Sequence, residues 1–210
     1  MLDWNSSEMQ QLVLDIGPAL EPDFENFVAG PNAEAVAAVR EFAAGATRDA
    51  VLYLWGEPGS GRTHLLRAAG RANPRLVLAD DVDRLDESAQ QRLFAAINAA
   101  REGAPPVLAA GRQAPAQMAL REDLRTRLAW GLVYQLKPLS DLEKAAHLRD
   151  QAARRGLRLP DEVLAYLLSR LPRDLASLNR VLEGLDRYSL STKRPVTVPL
   201  VREALERKET

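Results

Sequence analysis

Residues 50–69 read AVLYLWGEPGSGRTHLLRAA, and three local signals follow one another within them. The run 51–55 is continuously apolar and aromatic, the pattern of a strand covered on both faces. It breaks into the turn Gly56-Glu57-Pro58-Gly59-Ser60-Gly61, after which Leu65, Leu66 and Ala69 recur at helical spacing. Strand, glycine turn and helix start are the parts of a phosphate cradle. The glycines let consecutive backbone N–H groups curl around an anion, and the helix N-terminus adds partial positive charge. Gly56 to Gly61, a basic residue and Thr63 fit G-x-x-x-x-G-K-[ST] in every fixed position but one, where Arg62 stands for lysine. The candidate nucleotide contacts are therefore Pro58, Gly59, Ser60, Gly61, Arg62, Thr63 and His64.

Working outward, residues 76–79 are a second apolar strand that ends in Asp80-Asp81. A carboxylate delivered at a strand's C-terminal end beside a phosphate loop is how such proteins order Mg²⁺. The plainer alternative is a pair of aspartates capping the next helix. A helix over 88–101 follows, with Leu93, Phe94 and Ile97 on one face, then a third strand over 106–110. A polar helix over about 116–127 and a fourth strand over 132–136 complete the alternation. On the near side, a helix opened by Pro31 or Asn32 runs to Phe42 and stops at Gly45. Strands alternating with helices predict a parallel sheet with helices on its faces.

Past Pro138 the pattern changes to four helical stretches and no strand. Ser140 caps the first, with Glu143 three residues on, and Gly156 stops it. Pro160 opens a second with a leucine stripe, a third covers 174–188, and a short one covers 199–208. The expected organisation is thus a tail over 1–20, an α/β nucleotide-binding domain over 21–137 and a helical lid over 138–210.

Composition narrows the classes. The chain has 210 residues, 28 Lys and Arg against 29 Asp and Glu, and no cysteine, so disulfides, thiolate catalysis and cysteine-bound metal are excluded. Two histidines, His64 and His147, are too few for a histidine metal cluster, and the near-neutral charge argues against a general nucleic-acid or membrane-surface binder. No run is long enough to span a membrane, and the N-terminus lacks the marks of a leader, which predicts a cytoplasmic protein. Within the tail, Gln11 to Gly17 (QLVLDIG) is either a segment that adds an edge strand or lies on the core, or a linear peptide. In the second case Leu12 and Leu14 enter a partner's apolar pocket while Gln11 bonds at its rim.

A phosphate-loop α/β domain followed by a helical lid resembles the AAA+ ATPases. Within them the match narrows to the branch of the bacterial replication initiator DnaA and its shorter regulatory homologue Hda. The residues that carry it are DFENFVAGPN, LYLWGEPGSGRTHLL, LADDVDRL, DLRTRLAWGLVYQLKPLSD and LPRDLASLNRVLEGLD, in that order. The resemblance implies that Phe27, Val28 and Asn32 border an adenine, that Thr63 and Asp80 coordinate Mg²⁺, and that Asp81 polarises the attacking water. It implies that Arg127 is an arginine finger offered to a nucleotide on a neighbouring subunit, where the bland reading is a surface arginine paired with Glu122 or Asp123. Arg173 matches the lid arginine that contacts phosphates, against a capping role at a helix start. Gln11, Leu12, Leu14 and Ile16 resemble the peptide that docks on the DNA polymerase III sliding clamp.

Three departures shape the expected function. Arg62 keeps the charge of lysine but is a larger planar fork, as in members like Hda that are thought to work with ADP bound. The third strand ends in Ala109, Ala110 and Gly111, where the family commonly places a polar γ-phosphate sensor; Gln113 is a nearby substitute. Only ten residues lie between Leu65 and Leu76, which leaves no room for the DnaA helices that touch single-stranded DNA, and the chain stops after the lid. The expectation is an adaptor with ADP or ATP and Mg²⁺ as cofactors, DnaA and the clamp as partners, and no sequence-specific DNA binding of its own. A homo-oligomer is compatible with it. The rivals are an autonomous AAA+ ATPase of the helicase-loader type and a degenerate scaffold without nucleotide.

Overall fold

A computed structural model describes residues 21–170 and 175–206. They divide into two compact units, Glu21–Glu143 and a second from Lys144 on. The tail peptide with Gln11, Leu12, Leu14 and Ile16, and the lid residue Arg173, lie outside the described residues.

The first unit is built on strand β1 (Val51–Gly56), whose apolar run is buried almost throughout. It pairs in parallel with β3 (Val107–Gly111) on one side and β4 (Leu132–Leu136) on the other. Strand β2 (Val77–Ala79) adds to β3, giving the order β2-β3-β1-β4. Alternation along β1 splits the core. Leu52 and Leu54 face helices α1 (Ala33–Ala43) and α2 (Arg62–Ala72), while Val51 and Tyr53 face α3 (Glu87–Arg101) and α4 (Glu122–Ala129). Burying each of these leucines is worth about 2 kcal/mol, so a central strand apolar on both faces holds two helical layers together. Helix α3 begins at Asp86, whose carboxylate accepts the Ala89 N–H at 2.7 Å and is held below the usual carboxylate range by that bond.

Two expectations need correction. The polar helix over about 116–127 is broken: a 3₁₀ turn, Pro115–Gln117, comes first and α4 starts only at Glu122. Between them Met118 is extended and 2% exposed, because its thioether packs under the Tyr53 hydroxyl, 3.3 Å away. Met118 thus reaches the core from an extended backbone, with Leu124 of α4 buried in the same cluster. The second strand is shorter than 76–79 and sits at the sheet edge, which leaves Val77 and Leu78 partly exposed.

The second unit takes four helices, α5 (Asp141–Arg154), which begins in the first unit, α6 (Asp161–Arg170), α7 (Leu175–Thr192) and α8 (Val198–Glu206). Its core gathers Leu148, Leu164, Leu167, Leu178, Leu182, Leu185 and Leu200 with neighbouring valines. The capping box forms as read: Ser140 N–H donates to Glu143 Oε2 at 2.8 Å and Glu143 N–H to Ser140 Oγ at 3.2 Å. Helix α7 runs four residues beyond its expected end at Tyr188, because it stops only where Lys193 turns left-handed at φ 53°.

Candidate functional site

The loop between β1 and α2 lies at the C-terminal edge of the sheet. Gly59 and Gly61 are left-handed, at φ 83° and 95°, a region open to glycine at little cost. A Cβ on Gly61 would stand 2.5 Å from Phe27 Cε2, so the aromatic ring lies directly on the loop. Gly61 is also the N-cap of α2 and offers no side-chain acceptor, so the first N–H groups of α2 are left for another partner. Two buried polar atoms in the loop lack a hydrogen-bond partner, Ser60 Oγ and Arg62 Nη1. Arg62 is 9% exposed, and burying a guanidinium donor unpartnered is costly unless an anion completes the site. Left-handed glycines, an uncapped helix start and two orphaned polar groups fit the phosphates of a nucleotide.

Thr63 Oγ1 donates to Asp80 Oδ2 at 2.6 Å, so the loop threonine and the carboxylate at the end of β2 meet as expected. Asp80 also accepts the Asp81 N–H at 2.9 Å, while Asp81 is left-handed at φ 46° and stands 4.0 Å from an Arg84 nitrogen. Among the described residues no group of three or more acidic or histidine side chains could hold a metal unaided.

The N-terminal flank closes over this site from one side. His64 Nε2 lies 2.9 Å from the Asp23 carbonyl oxygen, and its ring meets Phe27 edge-on at 5.3 Å. Val28, next in the chain after Phe27, is half-buried. Asn32 is buried, its amide donating to the Lys137 carbonyl at 2.9 Å and accepting the Lys137 N–H at 2.8 Å. Its polar atoms thus fasten the flank to the end of β4, a role separate from any contact with a base.

At the tip of β3 the apolar Ala109, Ala110 and Gly111 have a structural reason. A Cβ on Gly111 would lie 2.2 Å from the Tyr53 hydroxyl and 3.1 Å from Asp83 Oδ1. The Tyr53 hydroxyl donates to the Gln113 carbonyl at 2.9 Å, and Asp83 accepts the Arg112 N–H at 2.9 Å. Burial and the Asp83 carboxylate push the Tyr53 hydroxyl up, so it stays a neutral donor. Gln113 therefore enters through its backbone. Tyr53 and Asp83 are not legible as site residues from the sequence; a hydroxyl-bearing tyrosine inside an otherwise apolar strand is the available signal.

Arg127 stands elsewhere. It lines a cleft of about 610 Å³ with Phe94, Arg121, Thr126 and Trp130. A second hollow, of about 270 Å³, joins it and Trp130 to Arg48, Val51, Arg101 and Gly131. Val51 opens β1 and Gly131 precedes β4, so this is the N-terminal edge of the sheet, the end opposite the phosphate loop. The length of β1, roughly 17 Å at strand rise, separates the two ends. The Arg127 guanidinium carbon sits 4.1 Å from the Trp130 ring centre and 5.5 Å from that of Phe94, and its Nη1 is buried without a partner. The pairing with Glu122 or Asp123 is not formed; Asp123 instead holds Arg121 at 2.8 Å. The structure thus brings together the loop, Asp80, Asp81 and the flank, and sets Arg127 apart from them.

Residues 20–75 match the family described as the bacterial DnaA ATPase domain, and residues 141–205 match that described as Hda, lid domain. Among solved structures, domain III of the Thermotoga maritima replication initiation protein DnaA superposes with a TM-score of 0.71 at 23% identity, over 90% of this chain and 98% of that one. AMPPCP-bound DnaA from Aquifex aeolicus gives 0.67 at 20% identity, over 90% and 70% of the two chains. A Thermotoga maritima RuvB variant gives 0.62 at 16% identity, over 91% and 72%. These likenesses carry the fold; the two family matches carry kinship, and with it nucleotide binding as a property of the AAA+ ATPase domain. Among the described residues no helix is long and apolar enough to cross a membrane. The chain is a AAA+ protein of the DnaA family, related to Hda, with a four-stranded parallel sheet domain followed by an all-helical lid.

Proposed function

We propose that this chain regulates replication initiation as an adaptor, holding ADP as a structural ligand and carrying Arg127 to an ATP bound on a DnaA partner. The observation that carries this reading is the separation of Arg127 from its own phosphate loop by the whole length of the sheet. An arginine side chain does not span that distance, so an unpaired guanidinium there acts on a nucleotide held by another subunit, where such a finger is worth orders of magnitude in rate. Gly59 to Thr63 with Arg62 hold the diphosphate, and Phe27 and Val28 border the base. Thr63 and Asp80, which already meet, would hold Mg²⁺, an ion that takes one or two protein oxygens and keeps its water ligands. Once bound, the metal and nucleotide would supply charge and rigidity rather than chemistry. The domains divide near 138, and the tail peptide with Gln11, Leu12, Leu14 and Ile16 docks on the sliding clamp.

The test is ATP hydrolysis by DnaA in the presence of DNA-loaded clamp and this chain. Arg127→Ala keeps the fold and ADP binding yet abolishes the stimulation, and Leu12→Ala with Leu14→Ala removes its dependence on the clamp. Undiminished stimulation by Arg127→Ala sinks the mechanism.

One observation favours the helicase-loader reading, the intact Thr63–Asp80 contact beside Asp81. Against it, the tip of β3 is filled by Tyr53 and Asp83, which leaves no donor side chain at Gly111 to sense a third phosphate. Turnover by the purified chain alone above about 1 s⁻¹, the low end for enzymes, supports the motor.

A further inference from the structure

Resting on the reading of Arg127 above, we propose that Trp130 and Phe94 form an aromatic cradle that positions the Arg127 guanidinium for a phosphate of the partner's nucleotide, with Trp130 as the positioning residue. A guanidinium offers two surfaces, a π face that stacks on aromatic rings and an edge of N–H donors that grips oxyanions. In this protein the rings take the face: Trp130 at 4.1 Å and Phe94 at 5.5 Å from the guanidinium carbon. No ion pair takes up the edge: the buried Nη1 has no hydrogen-bond partner, and Asp123, four residues back on the same helix, is engaged by Arg121. A salt bridge would have used the same donors that a phosphate needs, and would have to break before the finger could work. Stacking orients the arginine at no such cost.

The backbone makes the cradle part of one short element. Helix α4 ends at Ala129, and its C-cap Trp130 donates its N–H to the Arg127 carbonyl at 3.3 Å. Three residues apart on a helical turn, the two side chains share a face. Trp130 is in turn steadied by Arg101, whose guanidinium carbon lies 4.6 Å from the same ring. Yet the indole is 54% exposed at the mouth of the cleft, open on the side from which a partner would come.

The test uses the full chain with Trp130→Leu, which keeps an apolar side chain but removes the π face, and Trp130→Phe as the conservative rescue. DnaA-bound ATP hydrolysis is followed against the concentration of this chain. Trp130→Leu lowers the saturating rate about two- to fivefold, as expected for losing one cation–π contact at an exposed ring, with little change in the half-saturating concentration. Trp130→Phe restores most of it. A saturating rate unchanged by Trp130→Leu overturns the proposal, and so does a loss confined to half-saturation, which would make Trp130 a simple docking contact. The NMR shift of Arg127 Nε–H reads the stack without any partner: ring current displaces it in the parent chain and the displacement is lost in Trp130→Leu. If the parent chain and Arg127→Ala stimulate equally, the finger reading fails, while the Nε–H shift still judges the cradle; no difference between parent and Trp130→Leu overturns it.

Discussion

The closed tip of β3 makes a stability prediction that can be worked through. In Gly111→Ala the new Cβ would lie 2.2 Å from the Tyr53 hydroxyl and 3.3 Å from its ring carbon Cζ. Tyr53 is fully buried and its hydroxyl is fixed between the Gln113 carbonyl and the Met118 sulfur, so the ring cannot swing aside. Overpacking of this kind costs about 2 kcal/mol, and displacing the hydroxyl from Gln113 adds about 1 kcal/mol, for a total of about 3 kcal/mol. Tyr53→Phe alone forfeits the hydrogen bond to the Gln113 carbonyl, about 1 kcal/mol. In the double variant the methyl enters the space that the hydroxyl vacated. The two losses then overlap, and the pair is less destabilised than the sum by about 1–2 kcal/mol. Urea unfolding followed by tryptophan fluorescence measures this in the sheet unit, because Trp55 and Trp130 both lie there. Additivity within about 0.5 kcal/mol would show that the hydroxyl is not what excludes a side chain at position 111.

Two further outcomes are expected. Gly61→Ala combines a left-handed φ of 95° with a Cβ 2.5 Å from the Phe27 ring, so it lowers stability by about 2–4 kcal/mol and removes the thermal stabilisation by ADP; retained stabilisation counts against the loop as the nucleotide site. His147 is pushed below its ordinary value of 6.5, chiefly by burial, although Asn179 accepts from it at 3.1 Å. The unfolded chain therefore binds the proton first, so the lid's stability is full above pH 6.5 and falls as the pH drops below it. Thermal midpoints between pH 7.5 and 5 check this, with His147→Gln giving the flatter profile; equal slopes refute it.

The sequence alone determined what local pattern encodes. An apolar run broken by GEPGSGRT can only be a buried strand entering a glycine turn and a helix, because period, glycine content and capping residues act over a few neighbours. The lid helices and the Ser140–Glu143 capping box were legible for the same reason. Folding decided what depends on residues distant in the chain. Met118 broke a polar helix because Tyr53, 65 residues away, made a place for its thioether. Asn32 serves Lys137 across 105 residues, and Gly111 is glycine because Tyr53 and Asp83 fill the space beside it. Arg127 shows the division most clearly. Its motif marked it as a candidate in the string, but only the parallel sheet puts it at the opposite end from the loop. In a parallel sheet every strand runs the same way, so a residue that precedes β4 and a loop that follows β1 must lie at opposite edges.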